Sequence, residues 1–181
     1  MAWLQSNPLP PSGTLDGWIG KMANGDTRSL DMLYRAAAPG VYAYALSILK
    51  NSHDAEDVVQ EVFLSIYKTA ATYQSQGKPM AWILKIAKNL CLKRLSELQR
   101  TIGTSIDEWD GFTAQQQSMS TEDKLLIQAC MNQLSDEERQ IVVLHVVSGF
   151  KHREIAAMLV LPLSTVLSKY HRALKKLKAS L

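Results

Sequence analysis

From Leu15 onward, apolar residues recur three and four positions apart, the period of a helix with one buried face. A first such segment runs roughly from Leu15 to Asn24 and stops at Gly25. A second runs from about Asp26 to Lys50, with Leu30, Leu33, Tyr34, Val41, Ala45, Ile48 and Leu49 on its apolar positions. Pro39 within it predicts a kink or a break, because proline has no N–H to donate and its ring crowds the preceding turn. Asn51-Ser52-His53-Asp54 supplies polar caps to a third helix, whose stripe is Val58, Val59, Val62, Phe63, Ile66 and Tyr67. After a turn at Gln76-Gly77-Lys78-Pro79, a fourth helix sets Trp82, Ile83, Ile86, Ala87, Leu90, Arg94 and Leu95 near one face.

The period then fails. Residues 100–120 gather Gly, Ser, Thr, Gln and Asp, which predicts a linker, and Pro8, Pro10, Pro11 and Gly13 predict a mobile tail over residues 1–13. Past the linker a helix is expected from Thr121 to Gln133, and Ser135-Asp136-Glu137-Glu138 is a capping box for the next, to about Ser148. Gly149 stops that one. A short helix from Lys151 to about Val160 and a longer one from Leu163 to Leu177 complete the chain. No segment alternates with the period of a strand. The expectation is all-α: two small helical domains, residues 14–99 and 121–181, joined by a flexible tether rather than sharing one core.

Composition mostly excludes. A 46% hydrophobic content and mean hydropathy of −0.09 fit an ordinary soluble fold, and no apolar run approaches the ~20 residues of a membrane helix. MAWLQSNPLPPSG has neither a basic n-region nor a continuous apolar stretch, so no secretory leader is predicted and a cytoplasmic location is the default. Cys91 and Cys130 stand alone, without the spacing of a disulfide framework or a zinc cage. His53, His145, His152 and His171 fall at no metal-ligand spacing, and no Ser/His/Asp grouping or Gly-rich phosphate loop is present. No catalytic residue, metal, cofactor or small-molecule substrate is therefore expected.

Net charge is only +3, but its distribution changes the picture. Residues 1–77 carry net −2, residues 78–100 net +5, residues 101–138 net −7 and residues 139–181 net +7. Two basic blocks separated by an acidic one suit two contacts with a polyanion. In the second basic block, two helices meet at Val160-Leu161-Pro162, the spacing of a helix-turn-helix over about residues 151–177. The second of them turns Ser164, Thr165, Ser168, Lys169, Arg172 and Lys176 outward. Hydroxyls can donate to phosphate oxygens and cations displace their counterions.

In the first basic block, Lys85, Lys88, Asn89 and Lys93 lie on or near one side of the fourth helix, with Tyr73 and Trp82 close to its start. Cations beside aromatics suit a nucleic-acid single strand, although the spacing of Trp82 with Ile86 puts that ring in the core. On the third helix, capping explains Asp54, Glu56 and Asp57. It does not explain Gln60 and Glu61 beside an outward Leu64, which read as a protein-contact face.

Together these strings resemble a bacterial extracytoplasmic-function sigma factor, from about Gly25 to the C-terminus. GDTRSLDMLYRAAAPGVYAYALSIL resembles the family's opening segment, DAEDVVQEVFLSIY its core-polymerase-binding helix (about residues 54–67), and KPMAWILKIAKNLCLKRL the helix that reads and helps melt the −10 element (about residues 78–99). LSDEERQIVVLHVVSGFKHREIAAMLVLPLSTVLSKYHRALKKL resembles the −35-reading domain. The resemblance implies polymerase contact by Asp57, Gln60 and Glu61, a −10 surface at Lys85, Lys88 and Asn89, and a recognition helix carrying Ser164, Thr165, Ser168, Lys169, His171 and Arg172. It also implies core RNA polymerase, promoter DNA and an anti-sigma factor as partners, with Asp107-Glu108-Trp109-Asp110 threading toward the RNA exit path.

Three positions depart from the family's pattern. Glycine is usual where Val160 stands, a basic residue where Leu167 stands, and an acid near Lys93. The −35 contact is the one these departures weaken. Two alternatives remain at this point: a free-standing helix-turn-helix regulator, and a helical interaction module without DNA binding.

Overall fold

The polar residues that precede each apolar stripe cap the helices they open. The structure is a computed structural model that describes residues 9–102 and 121–179. Helix α1 spans Ser12–Ala23, α2 Thr27–Leu49 and α3 Ser52–Thr69, followed by a 3-10 turn at Ala70–Thr72. Helix α4 spans Pro79–Ile102, α5 Thr121–Asn132, α6 Asp136–Val146, α7 His152–Leu159 and α8 Leu163–Ala179. Among the described residues no strand forms.

Asp26 accepts the Arg28 N–H and the Ser29 hydroxyl, at 3.0 and 2.7 Å. Asn51 accepts the Asp54 N–H at 3.0 Å. The capping box is complete: Ser135 Oγ accepts the Glu138 N–H, and the Glu138 carboxylate accepts the Ser135 N–H. Helix α2 runs unbroken through Pro39, contrary to a break there. It is held on several sides, since α1, α3, α4 and α6 all pack against it, and that packing outweighs one lost backbone bond. Expectations for residues 1–8 and for the acidic segment 103–120 lie outside the described residues.

The two halves do not keep separate cores. Val41, Leu49, Val62, Ile83 and Leu84 belong to the same buried cluster as Ile141, Leu144, Phe150, Ile155 and Val166. The cause lies in α6, where Ile141, Val142, Val143 and Leu144 are all buried. At ~100° per residue, four consecutive side chains point almost all the way round a helix, so α6 needs walls on two sides. It has α2 on one and α8 on the other.

Arg139 fastens this junction. It is 3% exposed and donates to the carbonyls of Met131, Leu134 and Ser47 and to the Asp136 carboxylate. Ser47 belongs to α2, so one guanidinium joins the two halves. Lys50 adds an ion pair to Asp136 at 3.2 Å. Burial pushes the Asp136 carboxyl upward, but hydrogen bonds from Arg139 and Lys50 outweigh it and leave the group below its usual value. Gly40 marks the closest approach: a Cβ there would stand 3.1 Å from Met80 Cε and 3.4 Å from Ser148 Oγ.

Candidate nucleic-acid interface

Three faces carry the expected site residues, and the structure treats them differently. The first lies on α4. Lys85, Lys88 and Asn89 recur at helical spacing and line a cleft of about 1030 Å³ whose opposite wall is α7, with Glu154, Ala157, Met158 and Val160. Lys88 Nζ crosses the cleft to the Met158 carbonyl at 3.4 Å. Lys93 does not join them; it points away and pairs with Glu97 at 3.9 Å. The departure from an acid near position 93 therefore leaves the cleft unchanged.

Tyr73, expected near this face, and three residues not singled out there complete this cleft. Tyr73, Gln74, Gln76 and Lys78, from the turn before α4, line its mouth. Tyr73 stacks on Trp82 with ring centroids 4.5 Å apart and donates to Asp16 at 2.6 Å. Burial, with that carboxylate adding, raises the Tyr73 phenol to about 12. Trp82 is half-buried: it packs on the core, as its spacing predicts, and also lines the cleft.

The second face is α8. Val160 closes α7 at φ 58, ψ 45, the left-handed conformation the turn demands, with its β-branched side chain 83% exposed. The strain expected of valine there is real, of the order of ~1–2 kcal/mol. Past the turn, Val166 and Ala173 are buried while Ser164, Ser168, His171 and Arg172 are exposed, and Thr165 is half-buried. Lys175, about three turns along the same exposed stripe from Ser164, belongs with them. Its signal was the spacing Ser164, Ser168, His171, Lys175. Leu167, 37% exposed, sits at the edge of this face.

Lys169 and Lys176 are turned away from that stripe. Lys169 pairs with Glu137 at 2.6 Å and Lys176 with Glu138 at 2.7 Å, so the acids of the α6 capping box engage both. Burial works against the Glu138 charge, but the Lys176 hydrogen bond and the Ser135 N–H hold the carboxyl below its usual value.

The third face is α3. Val58, Val62 and Phe63 are buried, and Gln60, Glu61 and Leu64 are exposed, Leu64 by 59%. Tyr67 and Tyr34 extend this apolar surface, with Tyr34 tilted against Phe63 at 4.7 Å. Asp57 is exposed but shared. Arg94 of α4 bonds Asp54 at 2.8 Å and Asp57 at 3.1 Å, and these carboxylates, Asp54 first, raise the Arg94 guanidinium above its usual value.

Among the described residues no group of three or more His, Cys, Asp or Glu side chains could hold a metal ion. Cys91 and Cys130 are both buried, and burial raises the Cys91 thiol to about 12.

Two family models match the chain: sigma-70 region 2 over residues 33–101 and sigma-70 region 4 over residues 124–177. The ECF RNA polymerase sigma factor SigE of Mycolicibacterium smegmatis is 32% identical across 96% of this chain and 70% of its own length. The ECF RNA polymerase sigma factor SigK of Mycobacterium ulcerans is 24% identical across 96% of both chains. Two solved structures share the fold. One is the sigma factor RpoE bound to the anti-sigma factor NepR from Bartonella quintana, at TM-score 0.65 and 24% identity, covering 85% of this chain and 97% of that one. The other is CnrH with the cytosolic domain of CnrY, at TM-score 0.64 and 21% identity, covering 92% and 96%.

Proposed function

The chain belongs to the extracytoplasmic-function RNA polymerase sigma factors, and from that premise we propose how its residues divide the work. A sigma factor is a transcription initiation factor: it binds core RNA polymerase and directs it to promoters through their −10 and −35 elements. It supplies sequence choice and strand separation, and the bond chemistry stays with the polymerase. On this reading the chain is not itself an enzyme.

Residues 14–99 form the polymerase- and −10-binding domain, residues 100–120 the tether and residues 121–181 the −35 domain. Gln60, Glu61 and Leu64 grip the polymerase, with Asp57 at the edge of that face. Lys85, Lys88 and Asn89 follow the −10 strand, and Tyr73 and Trp82 offer rings on which bases stack. Ser164, Thr165, Ser168, His171 and Arg172 meet the −35 duplex, while Lys169 and Lys176 reach phosphates only by leaving Glu137 and Glu138. An anti-sigma factor, the kind of partner bound in the structure of the Bartonella relative, restrains the chain by covering these surfaces. The proposed location is the cytoplasm; no described helix is long and apolar enough to cross a membrane.

One observation supports the division most directly. Both matched segments occur in order in one chain, and each presents an exposed face: Gln60, Glu61 and Leu64 in the first, Ser164, Ser168, His171 and Arg172 in the second. The test is in vitro transcription with core polymerase on genomic fragments, with 5′-end sequencing. Promoter-specific starts are expected, and Leu64→Glu is expected to weaken core binding by about 10–30-fold while leaving the fold intact, as for a central contact residue. A Leu64→Glu chain that binds core unchanged overturns the assignment of α3.

A further inference from the structure

The loop between α6 and α7 sits on the seam between the two halves. Its Ser148 comes within 3.4 Å of the position a Cβ on Gly40 of α2 would take. Its Phe150 is buried in the shared core and lines the cleft beside Lys85 and Lys88. Two histidines bracket this loop. His145 Nδ1 lies 2.8 Å from the Phe150 carbonyl, a bond that ties the last turn of α6 to the loop's far end. His152 opens α7, its ring stacked on His145 with centroids 4.3 Å apart and a 32° tilt. Tyr170 of α8 closes the third side, 4.9 Å from one ring and 4.8 Å from the other. His152 Nε2 is buried with no hydrogen-bond partner.

This geometry suits two neutral imidazoles and no more than one charged one. Stacked rings with little water between them cannot both take a proton without strong repulsion. The neighbours offer little relief. Helix α6 contributes His145 itself, and α8 contributes Tyr170 and the exposed His171. Helix α4 contributes Lys88, already on the Met158 carbonyl. On α7, Arg153 and Lys151 are cationic and exposed, and the Glu154 carboxylate is engaged by the Lys151 N–H at 3.0 Å.

We propose that the His145–His152 pair is a proton-operated latch on the seam between the two halves. While both rings are neutral, the loop is held and α7 stays over the basic face of α4. When the pair charges, the loop is released and α7 lifts from α4, while α6 stays on α2. The sign follows from burial, which with His145 and His171 adding holds His152 below its usual 6.5. The closed arrangement therefore binds protons less readily than an open one. Its stabilisation is complete above about pH 6.5 and is lost progressively as the pH falls below that value. The latch is a property of the fold alone; that opening exposes a promoter-binding face rests on the roles proposed above.

The test is hydrogen exchange of the full-length chain at pH 7.5 and 5.5, with rates corrected for the intrinsic pH dependence and circular dichroism confirming that helix content is retained. Peptides covering residues 147–159 and the facing turns of α4 are expected to lose protection about tenfold on acidification. His152→Gln removes the buried ring that resists the proton and is expected to flatten that pH dependence, and His145→Gln, which removes only the smaller like-charge contribution, is expected to reduce it. Equal loss of protection in the variants, or no loss in the wild type, overturns the latch. NMR titration of the wild-type His152 ring supplies a readout independent of how the variants fold: His152 below 6.5 supports the latch, and His152 at or above 6.5 overturns it. Binding of a labelled −10 single strand is measured in parallel. If protection falls as expected and strand binding does not rise, the latch stands and the assignment of Lys85, Lys88 and Asn89 fails.

Discussion

The two basic faces of this molecule hold similar side chains in different surroundings. The outer stripe of α8 is open: Ser164, Ser168, His171, Arg172 and Lys175 are exposed. On α4, Lys85 and Asn89 are exposed too but face α7 across a cleft, and Lys88 bonds a carbonyl on its far side. The difference is one of topology rather than composition. Helix α6 must be walled on both sides, and the wall that α2 provides sets α7 across the cleft from α4. Charge alone therefore says little about availability. A cation's readiness for a phosphate depends on what already holds it, as Lys169 and Lys176 show within the open helix itself.

The contrast can be broken or sharpened at three places. The largest effect is expected at the junction. Arg139→Ala leaves the carbonyls of Met131, Leu134 and Ser47 short of a buried donor, and stability measured by urea unfolding is expected to fall by about 3–5 kcal/mol. The intermediate effect separates free cations from engaged ones. Arg172→Ala or Lys175→Ala is expected to weaken holoenzyme binding at a −35 duplex and to lower the salt slope by about one. Lys169→Ala, which first removes an internal pair, is expected to change the slope by less; an equal change would show that Glu137 does not compete. The smallest effect is at the turn. Val160→Gly relieves left-handed strain but adds freedom to the unfolded chain, so thermal unfolding is expected to show a net gain of about 0.5–1 kcal/mol.

What the sequence made legible was local. The caps at Asn51 and Ser135, the stop at Gly149 and the break between the last two helices at Val160-Leu161-Pro162 each depend on a few neighbouring residues, and each stands where the pattern predicts it. The outer stripe of α8 was legible for the same reason, save that Lys175 was passed over and Lys169 and Lys176 were read as outward. Their carboxylate partners lie 32 and 38 positions earlier in the chain, beyond the reach of any helical period. The cleft was illegible because its walls come from residues as distant as Lys88 and Met158. The shared core did leave a sign. Ile141-Val142-Val143-Leu144 is an apolar run too continuous for a helix with one wet side, and periodicity searched for a stripe passes over it.

That run has a consequence for how the molecule comes apart. A helix that is the common wall of two bundles cannot lose one neighbour without baring apolar surface, so neither half has a cost-free way to melt alone. The halves are therefore expected to unfold as one cooperative unit, and agreement of calorimetric and van't Hoff enthalpies is the check. A fragment ending before α6 keeps its caps and its charges but leaves the α2 face toward Ile141 and Leu144 bare, and such a fragment is expected to self-associate, which its sedimentation would show.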